Sequence, residues 1–124
     1  MRTIPFMAHC GITFLESASG VIRVTAQTAP VVTNTRGKAH GGLLMTMLDI
    51  ALGCAARDAV AGAESFITVD LHVAFLAAGE GTLVAEGRVL RAGGSLVFCE
   101  GEVRDDEGVM LARASGVFKL TFPR

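Results

Sequence analysis

The chain lacks the features that mark several large classes of protein. Its 11 Lys and Arg residues are scattered among 12 Asp and Glu residues, and the net charge is −1. A nucleic-acid groove needs a positively charged stripe, so we expect no nucleic-acid partner. The sequence also shows no repeat, linker or low-complexity segment. With 124 residues and an apolar content of 51%, it predicts one ordered domain over residues 1–124.

The sequence also lacks an apolar run typical of a membrane span. Its longest apolar stretch, HGGLLMTMLDIALGCAAR at residues 40–57, is interrupted by Asp49. A membrane-spanning helix needs ~20 apolar residues. The N-terminal stretch MRTIPFMAHCG contains no continuous apolar segment of the kind found in signal peptides. We therefore expect neither a membrane partner nor a leader.

Cysteine and histidine are scarce, with three of each. Cys10, Cys54 and Cys99 lie far apart, and the last two fall in apolar patterns, which favours reduced core residues in a cytoplasmic protein. His9 beside Cys10 is compatible with a metal or redox site, but no second ligand pair accompanies it. We therefore predict no metal site.

The apolar patterns that are present predict strands around one helix. Residues 11–17 and 21–28 predict a hairpin, residues 29–39 a loop, and the helix begins at Gly41 and Gly42. After Ser65 the period changes to two, and four alternating runs separated by turn residues predict a four-stranded meander. A helix that is apolar nearly all round must be covered nearly all round. The sequence thus predicts an α+β domain in which a curled antiparallel sheet of about six strands wraps around one long central helix.

Three glycines fall inside predicted strands, at Gly87, Gly101 and Gly116. Glycine in a strand often marks a bend or a close approach of the backbone to a neighbour. The alternative is weak packing that the fold tolerates at three sites.

Asp49 is the one carboxylate within the long apolar helix, and burying an unpaired carboxylate is expensive. At 100° per residue, Asp49 shares a stripe with the small residues Gly42, Thr46, Gly53 and Ala56. A small-residue stripe leaves space for water and a ligand beside the carboxylate. The alternative is close packing of the helix against its neighbours, with Asp49 hydrogen-bonded as a structural group.

The start of the same helix offers hydrogen-bond donors. Free backbone N–H groups at a helix N-terminus suit an anion or a developing oxyanion. Gly41 and Gly42 allow another group to approach that backbone closely. A carboxylate that activates water, combined with such donors, suggests the hydrolysis of an acyl compound.

These residues resemble a known family. The segment NTRGKAHGGLLMTMLDIALGCAA, with the spacing N-x2-G-x2-H-G-G-x6-D, resembles the hotdog-fold acyl-CoA thioesterases. It is most similar to the branch that includes the PaaI-like and 4-hydroxybenzoyl-CoA thioesterases. The segment from Ile67 to Leu120 is similar to the rest of that domain, so the resemblance covers roughly residues 10–121. The resemblance implies a hotdog fold and hydrolysis of an acyl- or aryl-CoA thioester.

The resemblance also implies a role for each residue of the motif. Asp49 would be the general base or the nucleophile, and the Gly41 N–H would polarise the thioester carbonyl. Asn34 and His40 would shape the pocket, and Thr68 would help to hold the attacking water. Family members are dimers, often paired into tetramers, with active sites shared between subunits. We therefore expect Thr68 to serve the site of the neighbouring chain.

Coenzyme A is the remaining part of the expected substrate, so no separate cofactor is predicted. Its binding is expected to involve Gly42 and the turn that contains Arg91, Gly93, Gly94 and Ser95. Many relatives have Arg or Lys where this chain has Gly94. The pocket floor is expected to include Leu43, Met45 and Met47. Two alternative functions remain: a non-catalytic acyl-CoA-binding hotdog protein, acting as a sensor or scaffold, and a hotdog enoyl-CoA hydratase.

Overall fold

The computed structural model describes residues 4–124, which form a curved antiparallel sheet around a long helix. In chain order the elements are α1 (Pro5–His9), β1 (Thr13–Leu15), β2 (Val21–Gln27), a 3₁₀ turn (Pro30–Val32), α2 (Gly41–Asp58), β3 (Ser65–Phe75), β4 (Thr82–Gly93), β5 (Leu96–Asp105) and β6 (Met110–Thr121). The strand order in the sheet is β1-β2-β4-β5-β6-β3. The predicted α+β architecture is confirmed. Residues 1–3, part of the stretch examined for a leader, lie outside the described residues.

Helix α2 supplies the centre of the core, because the sheet covers most of its surface. Leu48, Ala51 and Leu52 are fully buried, and Leu44 is 4% exposed. Burial of one large aliphatic side chain contributes about 1.5–3 kcal/mol, so this helix is stabilised mainly by the sheet that packs on it. Met47 is also fully buried in this core. It lines none of the cavities described below, so its expected place in a pocket floor is wrong.

The strand glycines let the sheet approach the helix and its own neighbours closely. A Cβ on Gly87 would lie 2.5 Å from the carbonyl carbon of Ala51 in α2. A Cβ on Gly101 would lie 2.6 Å from Leu52 Cδ1, and one on Gly116 would lie 2.8 Å from Phe118 Cε2. The close-approach interpretation is therefore confirmed at all three positions.

The predicted four-stranded meander is wrong for β3. Strands β4, β5 and β6 do form a meander, but β3 pairs with β6 at the edge of the sheet. Residues 76–81 carry the chain from β3 to β4, and they cross the end of the sheet rather than forming a hairpin. Six extended residues reach about 20 Å, which is enough to pass three strand spacings of about 4.8 Å each.

A bulge in β3 changes which of its side chains face α2. The register shifts between Thr68 and Asp70, so the alternation predicted from the sequence holds only beyond Val69. Thr68 lies opposite Phe118, which is fully buried. Ile67 and Val69 are instead 55% and 58% exposed. Bulges commonly re-aim a side chain next to a functional site, and here the bulge leaves Thr68 on the helix side of the sheet.

Candidate active site

Asp49 and Thr68 form a pair between α2 and β3. Thr68 Oγ1 donates a hydrogen bond of 2.6 Å to Asp49 Oδ1. Asp49 is half-buried, and within residues 4–124 its second carboxylate oxygen, Oδ2, receives no protein hydrogen bond. The carboxylate is therefore oriented by one hydroxyl and keeps one oxygen available for water or substrate.

The space beside Asp49 is a cavity of about 290 Å³. Its lining includes Thr46, Asp49 and Thr68, together with Phe6, Met45 and Leu71. A second cavity of about 400 Å³ adjoins it, because Phe6 and Thr46 line both, and it also contains Gly42 and Leu43. The small-residue stripe thus leaves room along its first part, and two residues expected in the pocket floor, Leu43 and Met45, do line these cavities.

The same stripe is closed beyond Asp49. A Cβ on Gly53 would overlap the ring of Phe66, which packs edge-on against Phe118 with 5.7 Å between ring centroids. Here the small residue serves close packing of the helix against the sheet. Both interpretations of the stripe therefore hold, each for one part of it.

His40 caps the N-terminus of α2. Its Nδ1 accepts a hydrogen bond of 2.8 Å from the Gly42 N–H, an acceptor role that requires an unprotonated Nδ1. This bond satisfies one of the helix N–H groups that lack an intrahelical partner. Gly41, the first helical residue, donates its own N–H to no protein acceptor among residues 4–124.

Asn34 holds the loop before α2 and lies at the same cavity as Gly41. Its Oδ1 accepts from the backbone N–H groups of Arg36 at 2.9 Å and Lys38 at 3.2 Å. Because the oxygen is used in this way, the side-chain NH₂ remains as a donor. Asn34, Gly41 and Phe75 contribute to the lining of a cavity of about 420 Å³, so two hydrogen-bond donors occur together at the helix start.

The donors at the helix start are distant from the Asp49 carboxylate of the same chain. Gly41 and Asp49 are eight residues apart in one helix, which separates them by about 12 Å along the axis and about 80° around it. They line different cavities. One thioester carbonyl therefore cannot contact both within a single protomer.

The expectation that Thr68 serves the site of the neighbouring chain stays a prediction. Thr68 donates to Asp49 of its own chain, because the β3 bulge turns its side chain toward α2 of the same protomer.

The turn expected to bind coenzyme A lies away from Asp49. Arg91 pairs with Phe98, which is 41% exposed, whereas Val97 and Cys99 on either side are buried against the helix. Arg91 is thus on the outer face of the sheet. Gly93, Gly94 and Ser95 form the exposed turn between β4 and β5, and Gly94 has φ +70°. The structure does not bring this turn to the Asp49 cavity within one chain.

Some residues that line the cavities were missed by sequence reasoning. Phe6, Val31 and Phe75 come from three segments distant from the helix motif, so no local spacing connects them with Asp49. Pro5 offered one signal, because proline is favoured in the first turn of a helix, and α1 begins there. That signal predicts the helix but not the contact of Phe6 with the cavity.

The cysteines are all unbridged. Burial raises the pKa of the Cys54 thiol, and it raises the pKa of Cys99 to about 11. Both are buried core residues, as predicted, whereas Cys10 is half-buried and lines the larger of the two adjoining cavities. No group of three or more metal-ligating side chains suited to a metal ion occurs within residues 4–124. In the same range, no helix has the length and apolar character needed to cross a membrane.

Comparison with known proteins identifies relatives along most of the chain. The sequence profile of the Thioesterase superfamily matches residues 36–112. A Saccharolobus solfataricus protein named "Putative esterase" is 36% identical over 82% of this chain and 71% of its own length. A Bacillus halodurans protein solved with CoA is 26% identical, covers 98% of this chain and 82% of its own, and superposes with a TM-score of 0.89.

The fold is shared with more distant structures too. The E. coli PaaI protein from the phenylacetic acid degradation operon has a TM-score of 0.85 at 20% identity, over 95% of this chain and 85% of its own. The predicted hotdog fold is therefore confirmed.

Proposed function

The chain belongs to the thioesterase superfamily and is a thioester hydrolase, and we propose that it hydrolyses an acyl-CoA to a free acid and coenzyme A. The observation that carries this proposal is the hydrogen-bonded Asp49–Thr68 pair in a cavity on the helix. The CoA bound to the Bacillus halodurans relative supports coenzyme A as the thiol part of the substrate. The resemblance of the sequence motif to hotdog thioesterases agrees with the match of residues 36–112 to the Thioesterase superfamily.

In the proposed reaction Asp49 acts as general base on a water molecule. Thr68 holds Oδ1, so Oδ2 accepts the proton of the water as its oxygen bonds to the thioester carbon. The negative charge then moves to the carbonyl oxygen. When the C–S bond breaks, the proton on Asp49 passes to the thiolate. In the alternative, Asp49 attacks the carbon directly, the C–S bond breaks and coenzyme A leaves as the thiolate, and water then hydrolyses the resulting anhydride to the free acid and the Asp49 carboxylate.

The oxyanion donors are proposed to come from a second copy of the chain. The Gly41 N–H and the Asn34 NH₂ occur together at the helix start, but they are about 12 Å from Asp49 of the same chain along the helix axis. A two-fold dimer contains two equivalent helices, so the helix start of one copy can meet the Asp49 of the other. His40, as the N-cap, keeps the helix start in position.

The edge of the sheet offers a surface for this pairing. Strand β3 pairs only with β6 among the described strands, and its Ile67 and Val69 side chains are more than half exposed. An uncovered edge strand presents unpaired N–H and C=O groups to another strand. We propose a homodimer through β3, with or without further pairing into a tetramer.

The remaining assignments follow from the same proposal. Gly42 lines the cavity that adjoins Asp49. The exposed turn containing Arg91, Gly93, Gly94 and Ser95 is proposed to contact the phosphates of coenzyme A bound by a neighbouring protomer, since Arg91 supplies a cation on the outer face. Coenzyme A enters as substrate, and no separate cofactor is proposed. The unbridged cysteines support a cytoplasmic location.

The direct test is release of free thiol from a panel of aryl and aliphatic acyl-CoAs. Asp49→Asn should lower kcat by about 10²–10⁴-fold while the circular dichroism spectrum and oligomeric state stay unchanged. Hydrolysis by Asp49→Asn at the wild-type rate would reject the mechanism. Binding of acyl-CoA without turnover across the panel would instead favour a sensor or scaffold, and loss of enoyl-CoA absorbance would favour a hydratase.

A mixing experiment tests the sharing of the site. Gly41→Pro removes the Gly41 N–H, and Asp49→Asn removes the base. In a mixed dimer of these two variants, one site carries both defects and the other carries neither, provided that the site is shared. Co-refolding the two inactive variants should then restore activity. A mixture that stays as inactive as its components would show that each site is built within one chain.

A further inference from the structure

We infer that the apolar cavity under α1 holds the acyl group of the thioester, and that Phe6 limits the length of that group. This inference rests on the proposed function, because it takes the thioester carbonyl to lie beside Asp49. The cavity has a volume of about 400 Å³, within the range of small-molecule sites. Its walls include the apolar side chains of Phe6, Val31, Val32 and Leu43, and its polar lining residues are His9, Thr33, His40 and Thr46.

The cavity under α1 adjoins the space beside Asp49. Thr46 and Phe6 line both cavities, so an acyl group that extends from the Asp49 site toward the cavity under α1 would contact these two side chains. Thr46 keeps its hydroxyl occupied, since Oγ1 donates to the Gly42 carbonyl at 2.8 Å. The residues shared by the two cavities are therefore an aromatic ring and a hydroxyl that is already hydrogen-bonded within the helix.

The stripe that carries Asp49 is closed in the opposite direction. The Phe66 ring occupies the space that a side chain at Gly53 would need, one turn beyond Asp49 on the same stripe. The coenzyme A part carries several phosphate charges, and the lining that residues 4–124 give the cavity under α1 includes no lysine or arginine to pair with them. The acyl group is the part of the substrate that suits the cavity under α1.

Phe6 is held at this cavity by the rest of α1. Met7 is 4% exposed and Ile12 is 2% exposed, and the Ile12 N–H donates to the Met7 carbonyl at 3.0 Å. These two residues attach α1 to the core. Phe6 itself is 59% exposed, and its ring stacks on His9 with 6.4 Å between centroids. Its removal should therefore change the cavity without unfolding the domain.

The test compares Phe6→Ala with Phe122→Ala, a matched change at an exposed phenylalanine that lines none of the described cavities. Thiol release is measured for a series from butanoyl- to hexadecanoyl-CoA. Removing the ring should raise kcat/KM for the longest chains relative to butanoyl-CoA by about 10-fold, since one methylene in a pocket changes discrimination by about 10–200-fold. Phe122→Ala should leave the profile as in wild type. An equal change for all chain lengths, or no change, would overturn the inference.

Measurements of acyl-CoA affinity test this inference independently of the proposed hydrolysis. The same acyl-CoA series is titrated into Asp49→Asn and into Asp49→Asn combined with Phe6→Ala. A change in Kd confined to the longer chains supports the acyl site even if wild type releases no thiol from any substrate. Thiol release by wild type, with affinities that Phe6→Ala alters equally at every length, would leave the function standing and reject the acyl site.

Discussion

The small-residue stripe of helix α2 has two ends that the molecule uses differently. At the first end, Gly42 and Thr46 border cavities that lead to Asp49. At the second end, Gly53 receives the Phe66 ring. We call these the open end and the closed end of the stripe. The closed end refers to the face at Gly53, because another part of the last turns borders a separate cavity of about 560 Å³ through Ala55, Asp58 and Ala59. Similar residue types thus provide room for a ligand in one place and close contact between elements in the other.

The difference lies in what the neighbouring strands and loops bring to the helix. At the closed end, aromatic and aliphatic side chains of the sheet fill the space, and the Gly87 backbone approaches that of Ala51. At the open end, α1 and the loop before α2 leave a gap, and hydrogen-bonding groups without full protein partners collect there. Unsatisfied donors and acceptors are costly in a packed core, so their concentration at one end supports the proposal that substrate binds there.

After the loss of Asp49 itself, the largest expected effect comes from removing a donor at the open end. Gly41→Pro deletes the N–H at the first helical position, where proline is well tolerated and where the preceding His40 is already extended, with φ −65° and ψ 140°. Loss of one oxyanion donor lowers kcat by about 10²–10³-fold. Steady-state kinetics on the best acyl-CoA substrate measures this loss.

Gly41→Ala is the matched control for that variant, because it adds a Cβ but keeps the N–H. The added Cβ would lie 3.3 Å from Phe75 Cε1, a contact that a small ring movement relieves. Gly41→Ala should therefore retain most of the activity. Equal losses in the two variants would mean that space, rather than the donor, matters at this position.

The next effect concerns packing at the closed end. Gly87→Ala would place a Cβ 2.5 Å from both the carbonyl carbon and the oxygen of Ala51, and backbone atoms cannot move aside as a side-chain tip can. Overpacking of this kind costs about 1–3 kcal/mol, measured as a lower free energy of unfolding in urea. At the open end, Gly42→Ala meets the exposed His40 Nδ1 at 2.9 Å. Moving that ring costs no more than the helix cap, about 0.5–2 kcal/mol, so the loss should be smaller than for Gly87→Ala. Similar losses in both variants would contradict the distinction between the ends.

A smaller effect is expected where β3 reaches the open end. Thr68→Val keeps the shape of the side chain but removes the hydrogen bond to Asp49 Oδ1. A hydrogen bond to a charged group contributes about 1.5–3 kcal/mol, so kcat should fall by roughly 10- to 100-fold. Thr68→Ser retains the hydroxyl and should keep most of the rate. If valine and serine variants had the same kcat, the hydroxyl would have no role in orienting Asp49.

Much of the fold could be predicted from local patterns. The alternating runs predicted the strands, and the position of Gly41 and Gly42 predicted the start of α2. The pairing of β3 with β6 could not be predicted in this way. A turn-rich segment such as residues 76–81 can form a hairpin or cross the sheet, and only the packing of the whole sheet on α2 decides between them.

The candidate site could likewise be predicted only in part from the sequence. Spacing along one helix predicted the stripe of Asp49, because helical geometry fixes the relative positions of its residues. The family resemblance implied a role for Thr68. Its hydrogen bond to Asp49 of the same chain depends on the β3 bulge, which the sequence pattern did not predict. The contribution of Phe6 depends on a contact between segments far apart in sequence, which no local period contains.

The smallest predicted effect is a pH dependence of stability that arises from the buried thiol of Cys99. Burial raises the pKa of Cys99 to about 11 from its ordinary value of 9.0, so the folded protein keeps this thiol protonated while the unfolded chain ionises it. The unfolded state then binds fewer protons, and stability should fall as the pH rises from 9 toward 11.

Between pH 8 and pH 10 the expected loss from Cys99 is roughly 1 kcal/mol, and urea unfolding at the two pH values measures it. Tyrosine is absent from the sequence and so adds nothing to this change. Cys99→Ala should reduce the difference between the two pH values, whereas Cys10→Ala, at the half-buried thiol of the open end, should leave it nearly unchanged. If Cys10→Ala reduced the difference in stability between the two pH values as much as Cys99→Ala, the pH effect would not arise from burial of the Cys99 thiol.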